Sequence, residues 1–285
     1  MVVGWLMNGV KTFILIMALT ALLVLIGNTL YGETGVILAL ILSILLNGVS
    51  YFFSDRIVLA SYRAQLVSQD QAPELYGIVA NLAQRAGLPM PKVAIIPETT
   101  PNAFATGRDP DHAVVAVTEG ILDTLSRHEL EAVLAHELGH VKHRDILIGS
   151  LCAVLAQAIM LLSRLAFFVR PRDDRDGGNP VAALLVMILG PVAALVLQMA
   201  VSRSREYEAD DYSAHLTGRP DQLASALERI EGFNRQAPMR DAEPATAHMM
   251  IINPLRSGGL YSLFSTHPPV AKRIARLNAM AVQMH

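Results

Sequence analysis

At 285 residues the chain is long enough for one or two ordinary domains, but 52% hydrophobic against 17% charged residues excludes a typical soluble fold. A formal net charge of −2 with no basic tail gives nucleic acid no electrostatic footprint, so no nucleic-acid partner is expected. The single cysteine, Cys152, excludes an internal disulfide and, inside an apolar run, reads as packing.

The apolar residues are gathered in blocks. The first runs from Thr12 to Ile26, fading toward Leu30, and the second from Gly35 to Phe53. A bilayer core of about 30 Å needs roughly 20 helical residues, so both read as membrane spans. The turn expected between them, residues 27–34, carries no Lys or Arg. A cleaved signal peptide is disfavoured, because Lys11 is the only charge ahead of the block and a second span follows at once.

A more polar stretch follows, residues 54–145. The pattern predicts a helix from Pro73 to Ala86, a turn at Gly87-Leu88-Pro89, short strands at Lys92–Pro97 and His112–Thr118, and a helix from Arg127 to His143. The third apolar block, Ile146 to Phe168, and the fourth, Val181 to Val201, flank a charged turn at 170–180 rich in Gly and Pro. With only Gln157, Arg164 and Gln198 as strongly polar interruptions, they read as a second membrane hairpin rather than a buried one. The remainder is expected to be helical around Glu206–Leu216, Asp221–Gly232 and Val270–Met284, with a long loop at 236–262. The expected organisation is a membrane hairpin (1–53), a first polar part (54–145), a second hairpin (146–201) and a second polar part (202–285). Arg56 and Arg63 put residues 54–145 in the cytoplasm by the positive-inside rule, while Arg170, Arg172 and Arg175 in the other loop pull the opposite way.

Residues 136–140 read His-Glu-Leu-Gly-His. On a helix, positions i and i+4 share a face, so the imidazoles of His136 and His140 converge on one ion. Glu137 points toward the same cleft and can take a proton from a water whose pKa zinc lowers from about 15.7 to about 7. Ser126 followed by Glu129 is a capping box, and Leu130, Val133, Leu134 and Leu138 follow at helical spacing, so the local sequence supplies the helix. His128 starts a similar run but meets no histidine at position 132. It is expected on the solvated first turn. His143 lies about 10.5 Å along the axis from His136, too far for zinc bonds of about 2 Å from both ends.

A catalytic zinc takes three protein ligands and keeps a fourth position open. After the fourth block the chain reads Ser202-Arg203-Ser204-Arg205-Glu206-Tyr207-Glu208-Ala209-Asp210. Glu206 and Asp210 share a face, which suits a carboxylate ligand with a second carboxylate one turn on to accept from a ligand imidazole. Glu208 points about 160° from Asp210 and is the weaker candidate. A hairpin that leaves and returns to one membrane face brings Glu206 back beside His140. The alternative is a solvated charged turn at the membrane edge.

Two further segments each have two readings. Asn102, Ala103 and Phe104 can pair with a substrate backbone as an added strand, or form a plain hairpin loop with Asn102 as turn former. His267, ahead of Pro268 and Pro269 with Thr266 as candidate N-cap, can donate to the oxyanion of a tetrahedral intermediate, or serve only in the cap region. His112, His215, His248 and His285 read as surface or core histidines.

These residues together resemble the HtpX-type membrane zinc proteases of bacteria and archaea, relatives of the CAAX prenyl proteases. The resemblance covers nearly the whole chain: two spans, Asn102-Ala103-Phe104-Ala105-Thr106-Gly107, His136 to Val141, Ser202 to Tyr207 with Ala209-Asp210, and Thr266-His267-Pro268-Pro269 with Arg273-Ile274. It implies a mainly α integral membrane protein, with four transmembrane helices in two hairpins and a small α+β zincin-like protease domain bearing a short β hairpin. It implies one Zn2+ per chain on His136, His140 and Glu206, with Glu137 catalytic and the segment from Asn102 bordering the substrate cleft. The implied role is quality control in the cell inner membrane, degrading misfolded or damaged membrane proteins with the site facing the cytoplasm. The expected partners are polypeptide substrates and the lipid bilayer. A CAAX-type processing protease is disfavoured because such enzymes have more spans. A membrane protein with a structural zinc is disfavoured because structural sites fill with Cys and His, and one cysteine is available.

Overall fold

The computed structural model describes residues 2–166, 203–239, 245–254 and 268–284. The fourth apolar block, residues 240–244 and 255–262 of the expected long loop, His267 and His285 fall outside the described residues.

The chain opens with α1 (Val2–Ser61), a helical element broken at Gly32, where φ is +58°. Helical geometry continues on both sides of that residue, so the expected eight-residue turn shrinks to a single left-handed glycine. The two arms fold back on each other. Thr20 Oγ1 lies 2.5 Å from Ser43 Oγ, and Asn47 Nδ2 donates to Ser43 Oγ at 3.2 Å. At the crossing, a Cβ on either Gly27 or Gly35 would run into the other's backbone, so glycine permits the close approach. The arm Tyr31–Ser61 has a most-apolar window of mean hydropathy 2.3 with only 17% of it buried, which marks a membrane span rather than a soluble core helix. It is the single helix among the described residues that is long and apolar enough to cross a membrane. It also runs eight residues past Phe53, because Asp55 and Arg56 lower hydropathy without stopping a helix.

The polar part holds β1 (Gln65–Val67), α2 (Pro73–Ala86), β2 (Lys92–Ile96), β3 (Ala103–Thr106), β4 (Val114–Thr118), α3 (Glu119–Thr124) and α4 (Arg127–Lys142). The sheet order is β1-β2-β4-β3. The two strands expected from sequence, β2 and β4, pair in parallel from Lys92↔Val114 to Ile96↔Thr118. They do not form a hairpin. The hairpin is β3 with β4, antiparallel from Ala103↔Val117 to Thr106↔Val114. Ala-Phe-Ala-Thr is too short and too small to show an alternating pattern, so the sequence leaves this edge strand open between an extended segment and a loop.

Helix α4 lies under the sheet, with Leu130, Val133, Leu134, Leu138 and Val141 buried in the main core beside Val115, Val117, Leu223 and Leu227. The Ser126–Glu129 capping box is formed, Ser126 N–H donating to Glu129 at 2.8 Å. Then come α5 (Ile146–Ala166), α6 (Arg203–Thr217), α7 (Pro220–Gln236) and α8 (Val270–Met284). The described apolar part of α5 is Ile146–Ile159, shorter than a full span.

Candidate metal centre

Two donors come from α4. Its apolar face is buried and its first turn capped, so the helix cannot rotate the His-Glu-Leu-Gly-His face away from the cleft. His136 Nε2 and His140 Nε2 lie 3.2 Å apart. Gly139 sits against α6, where an added Cβ would be 3.2 Å from Tyr212 and 3.3 Å from the Ala209 Cα. That close approach carries Glu206 onto the imidazoles. Its Oε2 is 3.8 Å from His136 Nε2, and its Oε1 is 3.6 Å from His140 Nε2. Tetrahedral zinc with bonds of 2.0–2.1 Å spaces neighbouring donors about 3.3 Å apart. The observed distances of 3.2, 3.6 and 3.8 Å straddle that spacing, so the donor set fits such an ion. All three residues offer donor atoms within 4.8 Å of one another and can hold a metal ion.

Each imidazole has a carboxylate behind it. Asp210 Oδ1 is 3.0 Å from His136 Nδ1, and Asp145 Oδ2 is 3.3 Å from His140 Nδ1. A proton held on each Nδ1 leaves Nε2 as the free donor toward a metal. Asp210 is gripped by the buried Arg273, whose Nε donates to Oδ2 at 2.9 Å and Nη2 to Oδ1 at 2.6 Å. Arg273 Nη1 also donates to Ile251 O at 2.9 Å and lies 3.7 Å from Glu206 Oε2. On the other side, Asp145 Oδ1 is 3.5 Å from Arg205 Nη1.

The electrostatics differ between the two imidazoles. Burial, aided by Arg273, pushes His136 down to about 4 against the pull of Asp210. Burial also disfavours the charged form of His140, but Asp145 and the charges of Glu206 and Glu137 outweigh it and raise that group to about 9. Asp210 is held low: burial works against its charge, and Arg273 and His136 overcome it. Glu137 is raised to about 7, chiefly by burial, with Glu206 adding and His140 opposing, and the Ala105 N–H hydrogen-bonds its carboxylate. A carboxyl poised near neutrality can both accept and return a proton.

The centre opens on a cleft lined by Ala105, Glu137, Ile146, Gly149, His248 and Met249 together with the metal-side groups. Ala105 lines the cleft, whereas Asn102, Ala103 and Phe104 just before it are fully buried and are not among the lining residues. Asn102 Nδ2 donates to Ile252 O at 2.8 Å, and Phe104 packs on Tyr62 with ring centroids 5.6 Å apart. Among the other histidines, His143 closes the C-terminus of α4 against Tyr212, and His128 is exposed on its first turn. Glu208 is exposed, on the side of α6 away from the centre.

Sequence reasoning missed Asp145, Arg273 and His248. Arg273 had a signal: it falls between Val270, Ile274 and Leu277 on the apolar face of α8, where a lone arginine needs a buried partner. Asp145 had none beyond its place ahead of α5, and His248 sits in a loop without periodicity.

The profile of Peptidase family M48 matches residues 69–281, well over half of the chain. The chain belongs to peptidase family M48. Relatives support the same assignment across nearly the whole length. A protein called Protease HtpX homolog from Pyrococcus furiosus is 53% identical over 279 residues, covering 96% of each chain. Another of that name from Ralstonia nicotianae is 53% identical over 277 residues, covering 96% of this chain and 97% of its own. The crystal structure of S. mikatae Ste24p matches with a TM-score of 0.53 at 18% identity, over 98% of this chain and 67% of that one, a likeness of fold. As an M48 member the chain is a metallopeptidase, and His136, His140 and Glu206 are the cluster able to hold its metal.

Proposed function

We propose that the protein is a zinc-dependent endopeptidase of the cell inner membrane, spanning it with four helices. It cuts misfolded or damaged membrane proteins from the cytoplasmic side. One observation carries the reading: two imidazole nitrogens and a carboxylate, 3.2 to 3.8 Å apart, stand beside a buried glutamate raised to about 7. Zinc held by His136, His140 and Glu206 supplies Lewis acidity toward the peptide carbonyl and the attacking water. Asp210 and Asp145 keep protons on the outer imidazole nitrogens and hold the rings in place. Glu137 takes a proton from the attacking water on its carboxylate and delivers it to the departing amide nitrogen. Charge leaves Glu137 at the same step, which its buried surroundings favour.

The test compares purified, detergent-solubilised wild type with Glu137→Gln on an unfolded polypeptide such as casein. Wild type is expected to cleave with zinc and stop with a chelator. Glu137→Gln is expected to lose cleavage by at least about 100-fold while retaining one zinc per chain. Wild-type rates in that variant would overturn the assignment.

A further inference from the structure

Along the outer edge of β3, backbone groups point away from β4 at every second residue. Each has a different partner. Ala103 O accepts from Ile251 N–H at 3.0 Å, the Ala105 N–H hydrogen-bonds the Glu137 carboxylate, and Gly107 N–H donates to Ser150 Oγ at 3.2 Å. The Glu137 bond therefore lies between two pins. One is backbone, and the other is the side chain of Ser150 in the second turn of α5.

The Ser150 hydroxyl is fully used. It donates to Ile146 O at 2.7 Å, the ordinary back-bond of a serine within a helix. A hydroxyl has one proton and two acceptor sites, so the 2.8 Å contact with Thr106 Oγ1 is a bond that Thr106 donates, and Gly107 N–H takes the second site. Ser150 and Thr106 are both wholly buried, which leaves solvent no ready access to replace a lost bond. The strand ends at this joint: Gly107 has φ +138°, and a Cβ there would run into His112 O.

The start of α5 belongs to the metal centre. Asp145, just ahead of the helix, lies 3.3 Å behind His140 Nδ1. The contacts thus close a ring. It runs from Glu137 along α4 to His140, through Asp145 into α5, through Ser150 to β3, and from Ala105 back to Glu137. The carboxylate is fixed against the imidazoles from both directions.

Resting on the peptidase reading above, we propose that Ser150 is a positioning residue for Glu137. Its hydroxyl sets β3 against α5 and, through the Ala105 N–H, aims the carboxylate at the attacking water. Ser150 acts from behind the cleft wall, outside the residues that line it.

The test uses full-length, zinc-loaded protein in detergent, with casein cleavage and amide hydrogen exchange measured on the same samples. Ser150→Ala is expected to retain one zinc per chain, to lower kcat by about 10- to 100-fold and to leave KM within about twofold. Ser150→Thr, which keeps the hydroxyl, should restore kcat to within about threefold of wild type. Exchange in residues 105–107 should accelerate at least about tenfold in Ser150→Ala, while β2 stays as in wild type. A serine that served stability alone would lower the thermal midpoint and leave kcat per zinc-bound chain unchanged. That result would overturn the assignment, as would a loss confined to KM or a zinc-retaining Ser150→Thr that restores nothing. If Ser150→Ala does not fold, Thr106→Val takes its place. It removes one of the two strand bonds and should lower kcat a few-fold, and an unchanged kcat there would overturn the assignment. If wild type cleaves nothing, the peptidase reading fails alone. Exchange in residues 105–107 then decides the positioning role, with equal rates in wild type and variant overturning it.

Discussion

The two imidazoles facing each other at the metal centre are anchored in different parts of the molecule. His136 is backed by Asp210 and Arg273, which join α4, α6 and α8 inside the protease core, all essentially inaccessible to water. His140 is backed by Asp145 and Arg205, at the point where the chain enters α5, and remains partly exposed. Burial dominates the first and keeps it neutral. Surrounding carboxylates dominate the second and keep it charged. One side of the centre is therefore a matter of folding and the other of metal affinity.

Breaking the core side should have the largest effect. Arg273→Met leaves Asp210 buried without its cation, and removing one partner of a buried pair costs about 3–5 kcal/mol. Chemical denaturation in detergent should show that loss, and Arg273→Lys should not restore it, because a lysine cannot make the two-pronged contact. A variant as stable as wild type would show that the arginine is ornamental to the fold.

Breaking the α5 side should act mainly on the metal. Asp145→Asn is expected to weaken zinc binding by about 10- to 100-fold, read by competition with a chromophoric chelator. Its unfolding free energy should move by less than about 1 kcal/mol, since Asp145 lies at the edge of the core. Equal losses of stability in the two variants would erase the distinction between the sides.

Acidity should separate them without mutation. His136 is neutral above about 4, so between pH 6.5 and 9 only His140, raised to about 9, still has a proton to give up to a metal. Zinc affinity should climb about tenfold per pH unit through that window and then level off. Without metal the sign reverses. A raised His140 stabilises the fold fully below 6.5 and loses that contribution as pH rises toward 9. Glu137, raised from 4.5 to about 7, favours its protonated form in the fold, so its contribution also fades as pH rises through that interval. Thermal midpoints of chelated protein should fall from mildly acid to alkaline pH, and added zinc should flatten the trend.

The smallest effect is a control. Ser126→Ala removes the cap at the far end of α4 and should cost about 1 kcal/mol without altering zinc affinity. A parallel drop in affinity would mean that the metal merely reports stability.

Much of the centre was legible in the sequence because its logic is local. The spacing of His136 and His140 needs only a helix, and Ser126 with the apolar residues behind it supplies one. Glu206 was legible through its i, i+4 partnership with Asp210 and through the expectation that two apolar blocks in succession return the chain to where it left. Arg273 and Asp145 were not, because their roles depend on partners brought in by packing; Arg273 meets an aspartate 63 residues earlier. The strands divided in the same way. Val-rich β4 was visible and β3 was left open, and without it the parallel pairing of β2 and β4 was read as a hairpin. Hydropathy marked where apolar residues stop, at Phe53, but helix α1 is held by its own backbone bonds and by core contacts as far as Ser61.

That last feature governs reach. Val58, Leu59 and Tyr62 pack on the face of the sheet opposite α4, with Phe104 and Ala116, and the Tyr62 hydroxyl meets Thr246 Oγ1 at 2.5 Å. The stretch from Phe53 to Ser61 is about 12 Å of unbroken helix. The catalytic head thus stands on a stiff mast instead of hanging from a leash. A rigid strut of this kind keeps the metal centre at one set distance from the apolar arm that precedes it.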